Sequence, residues 1–164
     1  MRVYSLLFLL SLSGIIGCTG KEPEDPIQQV NLLQTLINDG RFVQFVAALN
    51  DLSLSGNLEM TTASTVFAPT DLAFANAQTA VDQLSDPELS TTLLYHIANG
   101  RLPADGLSDG QFISTGLGSI IVNLNPDGSI TLTDQTGAEA AVLETNLEAT
   151  NGVIHVIDKI LLRQ

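Results

Sequence analysis

The chain has 164 residues, of which six are Lys or Arg and 18 are Asp or Glu, so its formal charge is −12. Because the few basic residues are scattered along the sequence, this balance argues against nucleic acids, heparin-like polyanions and anionic headgroups as direct partners. The length suits a single domain with one buried core, and a lone cysteine excludes an intramolecular disulfide.

The N-terminal segment has the features of a cleaved export signal. Arg2 supplies a positive charge, and an apolar stretch containing Leu6–Leu10 follows it. This stretch is too short and too interrupted by serines to span a bilayer permanently. The run Ile15–Cys18 resembles a bacterial lipobox, which predicts residues 1–17 as a lipoprotein signal peptide and Cys18 as the lipidated first residue. A free or disulfide-bonded thiol at Cys18 is the weaker alternative.

Residues 18–28 are predicted to form the lipidated cysteine and an extended linker, because they contain two prolines and several charges. By resemblance to bacterial lipoproteins, Thr19 in place of an aspartate disfavours retention at the inner membrane. The charged run Lys21–Asp25 is similar to signals that send some lipoproteins to the cell surface. We therefore expect a lipid-anchored outer-membrane protein of the bacterial cell envelope, facing either the periplasm or the exterior.

The first half of the remaining chain is mostly helical in pattern. Apolar residues at helical spacing predict helices over Val30–Ile37 and Phe42–Leu49, with Gly40 as the C-cap between them. A third helix is predicted after Thr70, whose side chain would cap its N-terminus. A fourth is predicted over about 86–100, where a capping residue, a proline and a glutamate coincide.

Strands dominate the second half. Thr65–Ala68 is predicted as an early buried strand that ends at a proline. Gly106–Gly118, rich in glycine and serine, is interpreted as a connector, with a mobile rim as the alternative. Helices mostly before strands indicate an α+β domain. Later short β-rich runs between turn residues predict four strands over Ile120–Leu124, Ile130–Thr133, Ala140–Leu143 and Val153–Ile157.

One window offers a possible metal loop. Asn123–Asp134 resembles an EF-hand calcium loop, but its first residue is Asn rather than Asp and its last is Asp rather than a bidentate Glu. The flanking segments are β-rich, and Asn125–Gly128 between two strands predicts a hairpin turn. The hairpin is the preferred interpretation, and calcium binding is the alternative.

The two histidines do not predict an active site. No cysteine remains to join His96 and His155 in a zinc site, and the sequence has no G-x-S-x-G nucleophile motif. Both lie among apolar residues, so each is interpreted as a core histidine that hydrogen bonds internally. We expect no catalytic residue, no metal and no cofactor.

Three ordered segments carry a family resemblance. Thr65–Phe74 reads T-V-F-A-P-T-D-L-A-F, Tyr95 and His96 form a central pair, and Asn151–Leu161 reads N-G-V-I-H-V-I-D-K-I-L. Together they resemble the fasciclin (FAS1) domain. The resemblance implies that residues 29–164 form a fasciclin wedge of two packed β-sheets with surrounding helices. It also implies a candidate contact surface near Tyr95 and His96, the region that animal fasciclin domains use in adhesion.

The resemblance and the lipobox together predict a lipid-anchored cell-surface binding module for adhesion or matrix assembly. Its partner would be a protein or a polysaccharide, with the membrane touched only through the lipid anchor. A carrier of a small apolar ligand, such as a carotenoid or lipid, is the alternative, because some fasciclin-like proteins bind carotenoids. An enzyme is the third and least supported hypothesis, since no catalytic constellation is present in the sequence.

Overall fold

The computed structural model describes residues 30–59 and 62–163. The predicted signal peptide, the linker and Cys18 lie outside these residues. The described helices are α1 Leu32–Asp39, α2 Val43–Asp51, α3 Gly56–Glu59, α4 Asp71–Val81 and α5 Asp86–Tyr95, with a 3-10 turn at Ala104–Gly106. The strands are β1 Ser64–Pro69, β2 Ile97–Asn99, β3 Phe112–Thr115, β4 Gly118–Leu124, β5 Ile130–Thr133, β6 Glu139–Ala149 and β7 Gly152–Ile157.

The helix ends follow local capping rules. The Asn31 side chain accepts a hydrogen bond from the Gln34 N–H at 2.8 Å and starts α1. The Thr70 hydroxyl accepts from the Ala73 N–H at 3.2 Å and starts α4, which confirms the predicted cap. Gly40 ends α1 with φ 80°, a left-handed conformation that costs glycine little. Short-range side-chain chemistry therefore fixes these boundaries.

Two sequence predictions around the middle of the chain are wrong. The fourth helix ends at Tyr95 rather than near residue 100, because Ile97–Asn99 pairs antiparallel with Ser64–Val66 and becomes β2. The predicted connector Gly106–Gly118 contains β3, which pairs with β4. β2 takes its hydrogen bonds from β1, which is distant in sequence, so tertiary pairing overrides the local pattern there. β3 instead forms a tight hairpin with β4, the strand that directly follows it.

All seven described strands join into one closed barrel, with each strand beside its sequence neighbour and β7 beside β1. The β1–β7 pair is parallel, with Phe67 opposite His155, and the other pairs are antiparallel. The α+β class is confirmed. The expected wedge of two packed sheets is not confirmed, because here the strands form a single closed surface.

The barrel divides the core into two clusters. Alternating residues of β1 point to opposite sides, so Val66 and Ala68 pack against the helices while Phe67 fills the barrel. Every residue of β1 and of β7 is buried. The barrel interior is filled by side chains from most strands, including Phe67, Ile113, Ile120, Leu132 and Ile157.

The helices cover only part of the barrel. Their main contacts with strands are those of α1 with β6 and β7, of α4 with β1, and of α5 with β2. On β3 the pattern alternates instead, since Phe112 and Ser114 are exposed while Ile113 and Thr115 are buried. Within residues 30–59 and 62–163, no helix has both the length and the apolar character needed to cross a bilayer.

Candidate functional site

Tyr95 and His96 lie where α5 runs into β2, and both side chains are completely buried. The Tyr95 hydroxyl donates a hydrogen bond to the Ser119 carbonyl oxygen at 2.5 Å, which ties α5 to the start of β4. Burial raises the pKa of the Tyr95 phenol, and the nearby Asp134 carboxylate adds to this rise. Tyr95 therefore works as an internal connection between two elements.

His96 uses both ring nitrogens inside the protein. Its Nδ1 lies 2.7 Å from the Thr92 carbonyl oxygen, and its Nε2 lies 3.0 Å from the Leu161 backbone nitrogen. A carbonyl needs a donor and an N–H needs an acceptor, so the ring carries its proton on Nδ1. Burial lowers the His96 pKa to about 4, which keeps the ring neutral near pH 7. The ring also packs against Phe45, with centroids 5.9 Å apart.

The predicted contact pair is therefore not exposed in this conformation. A partner can approach Tyr95 and His96 only through their neighbours, such as Leu94 and Ile97. These two line a surface groove of about 300 Å³ together with Asn99. A contact in this neighbourhood stays a prediction.

Asp134 is a buried carboxylate whose importance the sequence did not reveal. One of its oxygens accepts from the Thr136 N–H at 2.8 Å, the Thr136 hydroxyl at 2.6 Å and the Ala138 N–H at 3.0 Å. The other accepts from the Leu162 N–H at 2.8 Å. Asp134 thus holds the β5–β6 turn against the C-terminal segment. The turn sequence Asp134–Gly137 was the available signal, since Asp at the start of a tight turn bonds its own backbone.

His155 lies on β7 and faces the barrel interior. Its Nε2 lies 2.8 Å from the Leu102 carbonyl oxygen, and its ring stacks on Phe67 with centroids 5.7 Å apart. The Thr65 hydroxyl accepts from the Leu102 N–H at 2.9 Å, so both backbone groups of Leu102 are bound. Burial lowers the His155 pKa. The interpretation of both histidines as buried core residues is confirmed, and His96 is fully hydrogen bonded, whereas the buried Nδ1 of His155 has no hydrogen-bond partner among the described residues.

The Asn123–Asp134 window forms a hairpin. The Asn125 and Ser129 backbones pair across the turn, and Gly128 adopts φ 85°. Asp127 accepts from the Ser129 N–H at 2.9 Å, while Asp134 belongs to the following turn. The two carboxylates that a calcium loop would use, Asp127 and Asp134, are therefore committed to two successive turns, and Asn123 lies on β4. Among the described residues, no group of three or more His, Cys, Asp or Glu is arranged to hold a metal ion.

Two further surface regions are also accessible. The first is a groove of about 280 Å³ between α1 and α2, where Ile37 and Val43 are 49% and 62% exposed. The second we call the open face: the outward side chains of β3, β4 and β5. Its members are aromatic, aliphatic, amide or hydroxyl residues, namely Phe112, Ser114, Ile121, Asn123, Thr131 and Thr133.

Comparison with known proteins agrees with the three motifs and the barrel. Residues 40–163 match the family model of the fasciclin domain. An uncharacterized protein of Synechocystis sp. is 32% identical over 138 residues, which cover 80% of this chain and 97% of that protein. The transforming growth factor-beta-induced protein ig-h3 of Sus scrofa is 28% identical over 133 residues, which cover 79% of this chain but only 19% of the larger protein.

The fold is also similar to a solved structure. A FAS1 domain pair from the insect cell adhesion molecule fasciclin I superposes with a TM-score of 0.63 at 22% identity. The superposition covers 76% of this chain and 46% of the pair. At this identity the similarity shows the fold alone. Because the family model spans most of the chain and a relative is matched over nearly its whole length, the chain belongs to the fasciclin domain family.

Proposed function

We propose that this protein is a lipid-anchored cell-surface binding module that acts in adhesion or matrix interaction. The burial of the polar motif residues is the observation that carries the proposal. Tyr95, His96 and His155 are buried and hydrogen bonded to the backbone, so they support the fold and leave recognition to exposed surfaces. The likeness to an insect cell adhesion molecule also supports a binding role.

The proposed anchor is Cys18, with residues 18–28 as the linker to the domain. The proposed partner is a protein or a polysaccharide. The formal charge of −12 supports an uncharged or basic partner rather than a nucleic acid. Under this proposal the protein is not an enzyme.

The first test is protease accessibility on intact cells that express the full chain, beside a Cys18→Ala variant. A surface module is digested in unbroken wild-type cells, while the Cys18→Ala chain loses its membrane association. If the wild-type domain is protected until the outer membrane is breached, the intercellular adhesion proposal fails. Cell-to-cell aggregation measured in the same strains completes the test, because an adhesion module should promote it only when anchored.

A carrier of a small apolar ligand is the second candidate. The observation in its favour is the α1–α2 groove, whose walls are mostly apolar: Leu36, Ile37, Phe42, Val43 and Val46. The barrel interior is a poorer candidate because core side chains fill it. Solvent extraction of the purified full chain, followed by absorption spectroscopy and mass spectrometry, tests this function. A stoichiometric pigment or lipid that Val43→Glu abolishes would favour the carrier.

A further inference from the structure

The open face carries no charge in a strongly acidic protein. None of the residues in 112–115, 118–124 or 130–133 is charged, although the chain has 18 acidic residues. The adjacent strand β6 carries Glu139, Glu144 and Glu148. Because an uncharged surface offers nothing to pair with a buried charge, the open face fits an uncharged partner.

The side chains of the open face form regular rows across the strands. Phe112 lies opposite Ile121, which lies opposite Thr133. Asn123 lies opposite Thr131 in the next row. Side chains directly opposite each other in such rows are roughly 5 Å apart. The first row therefore has an apolar end at Phe112 and a polar end at Thr133.

The polar residues of the open face have unused hydrogen-bonding groups. The Asn123 side-chain N–H donates to the Thr133 hydroxyl oxygen at 2.8 Å, which orients the amide and leaves its oxygen as an acceptor. Within the described part of the chain, the hydroxyls of Ser114 and Thr131 have no protein hydrogen-bond partner. A partner rich in hydroxyl groups can pair with all of these groups.

The apolar end is a single aromatic ring. Phe112 is 69% exposed. Among the large apolar side chains of the described residues, Leu72 is equally exposed and none is more exposed. A sugar ring offers both a C–H face for an aromatic ring and hydroxyls at its edge. Resting on the binding role proposed above, we propose that the open face binds a neutral polysaccharide, with Phe112 stacking against a sugar ring and Asn123, Thr131 and Thr133 pairing with its hydroxyls.

The charges at the rim favour a neutral glycan over other occupants. Asp109, Asp127 and Glu139 border the open face, so an anionic polysaccharide would be repelled. A second copy of this chain would bring a second set of these carboxylates into contact. A stable protein interface also needs an apolar centre larger than one Phe beside one Ile.

Affinity electrophoresis of the full chain in native gels tests the proposal. The gels contain dextran or laminarin as neutral probes and polygalacturonate as the anionic probe. A polyoxyethylene detergent keeps the chain soluble, because it has no sugar headgroup to compete. We expect at least one neutral polysaccharide to retard the protein in proportion to its concentration, and polygalacturonate to have no such effect.

Matched variants connect the retardation to the open face. Phe112→Thr keeps a residue that favours strands but removes the ring, and it should weaken binding about tenfold or more. Phe112→Tyr keeps a stacking surface and should retain binding. Leu72→Ala removes an equally exposed apolar side chain from α4 and should have no effect. Circular dichroism spectra check that each variant is folded.

Three results of the electrophoresis overturn the inference. They are no retardation by either neutral probe, retardation by polygalacturonate alone, and equal weakening by Phe112→Thr and Leu72→Ala. Sedimentation of the chain without glycan detects the second-copy alternative, since a dimer that Phe112→Thr dissociates would also overturn it. If the cells aggregate through the anchored chain but no glycan binds, the inference fails while the proposed function stands. If glycan binds but the domain is protected inside the envelope, the surface function fails instead.

Discussion

The two sides of the barrel differ in how much of each strand is covered. On the β1–β7 side, all six residues of each strand are buried, because helices pack outside and core side chains fill the inside. On the β3–β5 side, buried residues alternate with exposed residues on β3 and with mostly half-buried residues on β4 and β5, as is typical of antiparallel strands with one solvated face. The family motifs Thr65–Phe74 and Asn151–Leu161 contain most of the covered strands, so they specify the fold. The open side leaves room for the proposed recognition.

The covered side has no room for an added side-chain atom at Gly152. A Cβ on Gly152 would lie 2.0 Å from the Ser64 carbonyl oxygen and 2.9 Å from a Leu32 methyl carbon. The first of these neighbours is backbone in the adjacent strand, so β1 itself would have to move. We expect Gly152→Ala to lower the free energy of unfolding by about 3 kcal/mol or more, or to prevent folding.

The control is Gly116→Ala, where a Cβ meets nothing within 4 Å. Chemical denaturation of both variants measures the difference. Equal stabilities for the two variants would show that β1 and β7 are less tightly packed than the structure indicates.

Acid should destabilise the covered core through its histidines. The His96 pKa is lowered by burial from 6.5 to about 4 in the folded protein. As the pH falls below 6.5, the unfolded chain binds a proton that the folded chain does not, so the free energy of unfolding decreases until the pH reaches about 4. The loss from His96 should amount to about 3 kcal/mol, and the lowered pKa of His155 acts in the same direction.

Denaturation at a series of pH values measures the total loss, to which carboxylates also contribute. Imidazole nitrogen NMR separates the histidines from the carboxylates. It should show His96 protonated on Nδ1 and neutral at pH 5, and neutral His155 protonated on Nε2. Titration of either ring near pH 6.5 in the folded protein would contradict the buried geometry.

The sequence predicted those parts of the fold that local chemistry decides. Gly40 and the Thr70 cap were predictable because a cap acts within one turn of the helix. The Asn125–Gly128 hairpin was predictable because its turn residues favour that geometry. The short strand β2 was not, since its three residues gain their hydrogen bonds from β1. Barrel closure through the parallel β1–β7 pair also has no local signal.

The site was less predictable than the fold. The Tyr95–His96 pair was expected near a contact surface, but the packing of α5 against the barrel turns both side chains inward. Phe112 lay inside a segment interpreted as a connector, although the aromatic and β-branched residues of Phe112–Thr115 are a weak strand signal. Exposure depends on which neighbours cover a strand, and that information is not local.

Tyr95 connects α5 to β4, so removal of its hydroxyl tests whether the β3–β5 side can loosen without the β1–β7 side. Tyr95→Phe keeps the buried ring and removes the hydrogen bond to the Ser119 carbonyl oxygen. We expect a loss of about 1 kcal/mol in the free energy of unfolding, which is typical of a single neutral hydrogen bond. Hydrogen exchange should show the amides of β4 less protected while those of β7 are unchanged. Equal loss of protection in both strands would mean that the two sides open together.

The smallest effect on stability is expected on the open face, and it gives the clearest contrast between the two sides of the barrel. Phe67 and Phe112 are both strand phenylalanines, but Phe67 is completely buried while Phe112 is 69% exposed. Phe67→Ala should cost about 3 to 5 kcal/mol because it leaves a cavity in the barrel. Phe112→Thr should change the free energy of unfolding by less than about 0.5 kcal/mol, since the ring has little packing to lose. Denaturation of both variants measures this contrast. A large loss from Phe112→Thr would mean that the ring supports the barrel, and its exposure could then no longer be assigned to recognition.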